Sequence, residues 1–532
     1  MTTPSGIEGT RPATLTGGDE QPCLDLPQHV RLTQVILHDR TDNHNELVHE
    51  PTWLLHPAEP LALRGNLFVL EDLAGHGGWM VLKEAPLPDV RASVCEVDLR
   101  VAARKAGGFR ASWDTRDGYD VHVIPWTGGP FERTQALQDF QRRRLRRPIA
   151  RMISNTWGDR NRDSRICESF ILQEIQAAAD LGVDVVQIDD GWQRGTTSNS
   201  AQASARGGVW SGFYAADDNF WSPHPLRFPN GLEPVLQAAR NRGLGVGLWF
   251  APDSSEQFAN WQRDVQTVLS LHRTHGVDHF KFDGIDCTSA AAEGRLKRMF
   301  ADILDQSQGK VIVDLDVTAG RRPGYYGMMA TGPVFVENRY TDWHRYWPHQ
   351  SLRVLWQLSR WVDPLRLRME FLNPTRHGEL YEGDPLAPGT YDPAAIFATT
   401  MFAQPLAWFE VSNLPASCQQ RITPLVGIWK QVRQHIFSGT IVPIGNAPDG
   451  WSWSGFASIA LERDAAVVLL FRGRNDQPTA ELDLPVSLGD KIPCQVLAGD
   501  GAATCHGDRI TARIEKPQGF LLVQIADPAL GG

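Results

Sequence analysis

Carboxylates follow three short apolar segments of this chain. Asp189 and Asp190 come after DVVQI, Asp283 comes after HFKF, and Glu337 comes after PVFV, with Asp342 a few residues further on. Two carboxyl groups that face each other can perform a double displacement, in which one attacks carbon and the other transfers the proton. Either Glu337 or Asp342 can supply the second group, and we favour Glu337 because it ends its segment.

Each group of carboxylates has a chemical and a structural interpretation. Lys281 precedes Asp283 by two positions, so on a strand both side chains face one way and the ammonium favours an ionised, nucleophilic carboxylate. The structural alternative is a buried ion pair. Asp189 and Asp190 can accept hydrogen bonds from neighbouring hydroxyls of a sugar, although DDG is also a good turn sequence.

Tryptophan is abundant, with 18 residues in the chain. Trp192 follows the Asp pair and is positioned to stack on a sugar ring, whereas Trp249, at the end of GVGLWF, fits equally well as barrel filling. Further along, Trp343, Tyr346 and Trp347 suit either an acceptor site or helix packing.

Short apolar runs alternate with helical patterns between residues 146 and 439, as in repeated βα units. The clearest helix spans 167–181, with Gly182 at its C-cap. Eight strand–helix repeats predict a (β/α)8 TIM barrel, whose active site lies at the carboxyl ends of the strands. The predicted strands are 151–156, 184–189, 245–250, 279–283, 310–316, 333–337, 367–372 and 405–410.

The flanking regions have alternating patterns that are typical of antiparallel strands. We predict a disordered N-terminus over 1–24, a β-sandwich over 25–145, and a second antiparallel β-sandwich domain over 440–532. The basic run at 141–147 is interpreted as a solvated linker or helix face.

Composition excludes several classes of function. A net charge of -10 disfavours a nucleic-acid partner. The 7 cysteines lack CxxC spacing, and no HxH pattern ends a strand, so we expect no metal site. With no secretory start and no long apolar run, we expect a cytoplasmic protein away from membranes. The flanking β-domains offer surfaces through which the chain can form a homo-oligomer.

Four motifs together resemble clan D glycoside hydrolases, which comprise families 27 and 36, the α-galactosidases and their relatives. They are NTWGDR, QIDDGW, LWF and KFD, which span about residues 151–290. The order of the β-domain, barrel and second β-domain is also similar to the shorter family 36 enzymes.

The resemblance implies roles for individual residues. Asp283 matches the nucleophile of a retaining, exo-acting α-glycosidase, and Lys281 matches a lysine that contacts substrate. Asp189 and Asp190 match the pair that binds the 4- and 6-hydroxyls, and Trp192 matches an aromatic wall. Trp157 and Trp249, within the shared motifs, are further substrate-binding candidates. The family uses neither metal nor organic cofactor, and its substrates are oligosaccharides or glycosides.

The second half of the barrel departs from the family pattern. After strand 5, Arg321, Arg322 and Tyr325 are candidates to replace the usual substrate contacts, and Arg339 is a further binding candidate after strand 6. VENRYTDW stands where the family more often has an Asp-rich motif, so the resemblance does not determine which sugar the site accepts. Two alternatives to hydrolysis therefore stay in view: a glycosyltransfer enzyme of the raffinose-synthase type, and an inactive carbohydrate-binding protein.

Overall fold

The computed structural model describes residues 13–14, 22–38, 46–91, 94–146, 149–317, 321–335, 339–489 and 492–526. Within these residues a closed parallel barrel lies between two groups of antiparallel sheets. The predicted TIM barrel with flanking β-sandwich domains is therefore confirmed.

The N-terminal sheets come from short strands in which buried and exposed positions alternate, as in β3, which buries Leu32 and exposes Arg31. One sheet has the order β1-β11-β8-β7-β3-β4, with β5 also paired to β3, and the other has the order β2-β10-β9-β6. The strands are β1 (Ala13–Thr14), β2 (Cys23–Leu26), β3 (Val30–Leu37), β4 (Val48–His49), β5 (Thr52–Leu54), β6 (Leu61–Leu63), β7 (Leu67–Asp72), β8 (Gly77–Lys83), β9 (Leu99–Ala103), β10 (Phe109–Trp113) and β11 (Val121–Thr127).

The barrel strands are almost entirely buried, because helices cover them outside and side chains fill the interior. Every barrel strand overlaps a predicted one, and Asp189, Asp190 and Asp283 follow their strands as expected. The strands are β12 (Ile153–Asn155), β13 (Val185–Ile188), β14 (Gly245–Phe250), β15 (His279–Phe282), β16 (Ile312–Asp316), β17 (Val334–Phe335), β18 (Leu367–Phe371) and β19 (Gln404–Ala407).

Helix ends follow ordinary capping rules. Gly182 ends the second helix with φ 92°, as predicted, and the Ser289 side chain accepts from Ala292 N–H at the start of another. The helices are α1 (Pro130–Arg144), α2 (Glu168–Leu181), α3 (Ala203–Arg206), α4 (Phe213–Ala216), α5 (Glu233–Arg240), α6 (Trp261–His275), α7 (Ala290–Gln306), α8 (Pro348–Leu358), α9 (Pro393–Ala398) and α10 (Ala416–Ser438).

The C-terminal region forms a five-stranded sheet of order β20-β21-β22-β27-β24 and a three-stranded sheet of order β23-β26-β25. A separate hydrophobic core between them includes Val468, Ile510 and Val523. The strands are β20 (Thr440–Gly445), β21 (Ser454–Ile459), β22 (Ala465–Phe471), β23 (Thr479–Asp483), β24 (Cys494–Gly499), β25 (Gly501–His506), β26 (Arg509–Ile514) and β27 (Phe520–Ala526).

Two features of the N-terminal region differ from the sequence expectations. Within the segment expected to be disordered, residues 13–14 pair with β11, and β2 begins at Cys23. Helix α1 lies within the range predicted as β-sandwich and contains most of the basic run, as the helix-face interpretation expected; the Arg142–Asp363 ion pair at 2.7 Å ties it to the barrel. This part of the basic run therefore joins elements of the fold and is not a freely solvated linker.

Candidate active site

Asp283 stands directly after β15 at the carboxyl end of the barrel. Its Oδ1 accepts hydrogen bonds from Gly284 N–H at 2.7 Å and from Arg322 Nη1 at 3.1 Å. Among the residues that the structure describes, its Oδ2 accepts one longer bond, from Trp249 Nε1 at 3.3 Å. With 18% of its side chain exposed, Asp283 can be approached from solvent.

Opposing effects act on the pKa of Asp283. Burial alone would raise this pKa, but the positive charges of Arg322 and Lys281 and the hydrogen bonds from Gly284 and Trp249 outweigh burial. The result is a pKa below the usual value for aspartate. Asp283 is therefore ionised at neutral pH, as a nucleophile must be.

Lys281 lies one layer deeper in the barrel, between two carboxylates. Its Nζ is 3.0 Å from Asp189 Oδ2 and 3.5 Å from Asp316 Oδ2. The indole of Trp408 covers it, with the ring centroid 5.0 Å from Nζ. Burial would lower the pKa of Lys281, but the neighbouring carboxylates raise it above its usual value, so the ammonium stays charged.

The two adjacent aspartates after β13 have different surroundings. Asp189 Oδ2 accepts hydrogen bonds from Asn155 Nδ2 at 2.7 Å and from Lys281 Nζ. Asp189, Lys281 and Asp316 thus form one buried charged cluster. Asp190 instead accepts from Gln193 Nε2 at 2.7 Å and from the Thr197 hydroxyl, so it also holds the loop that follows. Burial raises the pKa of Asp190 to about 7.

Arg322 connects the nucleophile candidate to a carboxylate that the sequence reasoning missed. Its Nη1 contacts Asp283 and donates to the Asp316 carbonyl at 3.3 Å, while its Nε is 3.3 Å from Asp286 Oδ1. Asp316 was missed as well. Alternation along DLD signals Asp316, whereas no local spacing singles out Asp286, whose contact with Arg322 joins two loops.

The candidate tryptophans occupy different depths. Trp192 is fully buried and donates from Nε1 to the Trp249 carbonyl at 2.8 Å, so it supports Trp249 from behind. Trp157 is half-buried in the loop after β12. Trp210, which was not predicted, is half-buried beside Gly284, and its ring centroid lies 6.0 Å from that of Trp249.

Three predicted binding residues have no described contact with Asp283. Tyr325 is buried and donates to the His38 carbonyl of the N-terminal region at 2.5 Å. Arg339 is buried, and its guanidinium donates to Gln350 Oε1 at 3.0 Å. Arg321 is exposed in the loop after β16, with φ 67°.

Of the two candidates for the second carboxylate, only Asp342 can be located, since Glu337 falls outside the described residues. Asp342 lies in the turn Thr341–Trp343, 30% exposed, with Oδ2 3.5 Å from Arg160 Nη1. The preceding Tyr340 packs its ring 6.0 Å from that of Trp408, which covers Lys281. The turn is thereby linked to the charged cluster.

The described residues also bear on metal binding and on membrane insertion. No group of three or more His, Cys, Asp or Glu side chains in these ranges is arranged to hold a metal ion. None of the helices described above has the length and apolar character needed to span a bilayer.

Comparison with known sequences gives limited matches. No family model matches the chain. An α-galactosidase 2 from Pediococcus pentosaceus is 26% identical over 191 residues, which is 36% of this chain and 22% of that protein. An α-galactosidase from Escherichia coli is 32% identical over 84 residues, 16% of this chain and 10% of that protein. The matches thus span less than a quarter of either relative.

Solved structures match over nearly the whole chain. The family 36 α-galactosidase AgaA from Geobacillus stearothermophilus has a TM-score of 0.65 at 14% identity, covering 95% of this chain and 76% of its own. An α-galactosidase from Lactobacillus brevis has a TM-score of 0.67 at 13% identity, covering 95% and 75%. A variant of AgaA was solved in complex with raffinose. The chain has the fold of the glycoside hydrolase family 36 α-galactosidases.

Proposed function

We propose that this protein is a retaining, exo-acting glycosidase that hydrolyses terminal α-linked sugars, with α-galactosides as the first substrates to test. The observation that carries the proposal is the environment of Asp283. Its Oδ1 is held by Arg322 and Gly284, while Oδ2 has, within the described ranges, a single longer contact, with the Trp249 indole. A carboxylate that is ionised, oriented and open on one oxygen suits attack on an anomeric carbon.

In the proposed first step, Asp283 Oδ2 forms a bond to the anomeric carbon as the bond to the leaving oxygen breaks. The general acid gives its proton to that oxygen, which leaves a glycosyl ester on Asp283. In the second step the same group, now a base, removes a proton from water, and the water oxygen displaces Asp283. Net retention follows from two inversions.

The charged cluster around Lys281 supports this scheme at the end of the sugar that lies away from the anomeric carbon. We assign the hydroxyls remote from the anomeric carbon to Asp189, Asp190 and Lys281. Asp189 and Lys281 are buried and paired at 3.0 Å, so their positions are fixed before substrate arrives. Pre-organised groups of this kind lower the cost of reaching the transition state.

Both candidates for the acid/base residue remain in the proposal. Asp342 is supported by its partial exposure and by the packing of its turn against the charged cluster. Glu337 is supported by its position after β17 in the sequence. Retention requires the second carboxyl about 5–5.5 Å from the nucleophile, and the experiment below separates the two residues chemically.

The first experiment assays purified protein on aryl α- and β-glycosides, with Asp283→Ala as the inactive control. We expect α-galactoside cleavage that the variant loses, while its thermal unfolding stays close to wild type. NMR of the first product should show the α anomer. An initial β anomer, or more than a few percent of wild-type rate in Asp283→Ala, would refute the assignment.

Azide then assigns the two roles. In Asp283→Gly, azide can attack the anomeric carbon from the face that the Asp283 side chain no longer occupies, which should give the β-glycosyl azide. In the correct acid/base variant, Asp342→Gly or Glu337→Gly, azide attacks the glycosyl ester and should give the α-glycosyl azide. Transfer to added sugars in preference to water would favour the glycosyltransfer alternative, and ligand binding without turnover would favour the inactive one.

A further inference from the structure

Accessibility divides the charged residues at the mouth into two sets. Asp189, Asp190 and Lys281 have 5% or less of their surface exposed. Asp286, in contrast, has 41% of its side chain exposed, although it contacts the buried Arg322. A carboxylate that is ion-paired through one oxygen and open to solvent is available to a ligand.

The contacts order these groups across the mouth. Asp189 contacts Lys281, Lys281 contacts Asp316, the Asp316 carbonyl accepts from Arg322, and Arg322 contacts Asp286. Asp189 and Asp286 are therefore the two ends of one connected series. Asp283, which the proposed function places under the anomeric carbon, joins this series at Arg322, next to Asp286.

The residues that contact the loop from Gly284 to Cys287, which carries Asp286, have the chemistry of a sugar-binding site. Trp210 offers a half-buried indole beside Gly284, two positions before Asp286. Arg321 is exposed in the facing loop, and its carbonyl accepts from Cys287 N–H at 2.5 Å, which brings the two loops together. An aromatic face with a carboxylate and a guanidinium can stack on a pyranose and bind its hydroxyls.

We propose that Asp286, with Trp210 and Arg321, forms the subsite for the leaving group, and that it selects substrates in which that group is a second, hydroxylated sugar. The proposal rests on the proposed function, because it uses the position of Asp283 to orient the sugar. Asp286 Oδ1 stays on Arg322, and the other carboxylate oxygen accepts a hydroxyl of the second sugar. Asp286 is thus a specificity-determining residue.

The test compares two leaving groups on one donor. Wild type and Asp286→Asn are assayed on nitrophenyl α-galactoside and on raffinose, whose leaving group is sucrose. We expect kcat/KM on raffinose to fall at least tenfold in the variant, while kcat/KM on the aryl substrate changes less than threefold. Trp210→Ala should shift the same ratio in the same direction.

A matched control lies at the other end of the same strand. Asp278, just before β15, is 29% exposed and 3.5 Å from Arg151 Nη1, so Asp278→Asn removes a similar ion pair far from the mouth. This variant should leave kcat/KM on both substrates unchanged. Equal losses on both substrates in Asp286→Asn would show that Asp286 only positions Arg322, and an unchanged ratio would equally overturn the subsite. A wild type that cleaves neither substrate would instead overturn the proposed function, and this inference with it.

Discussion

Replacing Arg322 with methionine tests whether its charge keeps Asp283 ionised. Arg322 is buried, with 6% of its surface exposed, and its Nη1 is 3.1 Å from Asp283 Oδ1; among the groups that lower the pKa of Asp283, the charge of Arg322 has the largest effect. Methionine retains an apolar stem of similar length but no charge. The substitution therefore removes the electrostatic contribution with limited loss of packing.

The expected magnitude follows from Coulomb's law. Two unit charges about 4 Å apart interact by roughly 4 kcal/mol at an effective dielectric constant near 20. At about 1.36 kcal/mol per pH unit this is close to 3 units, the upper end of the ~1–3 units seen for neighbouring opposite charges. In the proposed mechanism Asp283 attacks as the ionised carboxylate, so the acidic limb of kcat/KM should move to higher pH by about 1–3 units.

The measurement is kcat/KM on an aryl α-galactoside across the acidic and neutral range. Activity in Arg322→Met should be lost first at low pH and recover as pH rises. Arg322→Lys, which retains the charge, should show a much smaller displacement, and Arg151→Met, at the opposite end of the barrel, should show none. A uniform loss of rate with an unmoved acidic limb would refute the electrostatic role and leave Arg322 as a purely geometric support.

Two further predictions concern the scaffold beneath the site. Lys281→Met leaves Asp189 and Asp316 buried without their ammonium and should destabilise the protein by about 3–5 kcal/mol in urea unfolding, whereas a change below about 1 kcal/mol would contradict the charged cluster. Gly158→Ala would place a Cβ 2.1 Å from the Trp408 carbonyl oxygen, so unfolding free energy should fall by about 1–3 kcal/mol together with activity. Gly294→Ala, in α7 with nothing within 4 Å, is its control and should stabilise by about 0.5–1 kcal/mol.

The strand pattern made much of the barrel predictable. Parallel strands covered on both faces give short continuous apolar runs, and polar residues that end such runs must emerge at the same edge. Asp189 and Lys281 therefore appear in the sequence as interruptions of apolar runs, and the structure brings them within 3.0 Å of each other. Local pattern was sufficient here because the strand itself determines the direction of each side chain.

Contacts between distant segments were not predictable in the same way. Tyr325 looks like a substrate contact in the sequence, yet its hydroxyl donates to His38, 287 positions away. Trp192 looks like a pocket wall, yet Trp249 separates it from Asp283. Neither outcome is encoded in local spacing, since each depends on which loop packs over another. Asp286 was missed for the same reason, because the residue that it contacts, Arg322, lies on a different loop.

The proposed function needs recognition of the sugar that is cleaved off and recognition of the leaving group, and different parts of the barrel carry the two. Below the site, Asp314 contacts His279 at 2.7 Å and Arg368 at 3.0 Å, and this buried layer fixes the strands that carry Lys281 and Asp316 one step above. Groups on such strands cannot easily move, which suits a subsite that must hold one sugar in a single orientation. Asp286 stands on a loop and is partly exposed, which suits contact with leaving groups of different size. Changes in loop residues should therefore alter the preferred leaving group, while changes in the strand residues should abolish turnover or folding.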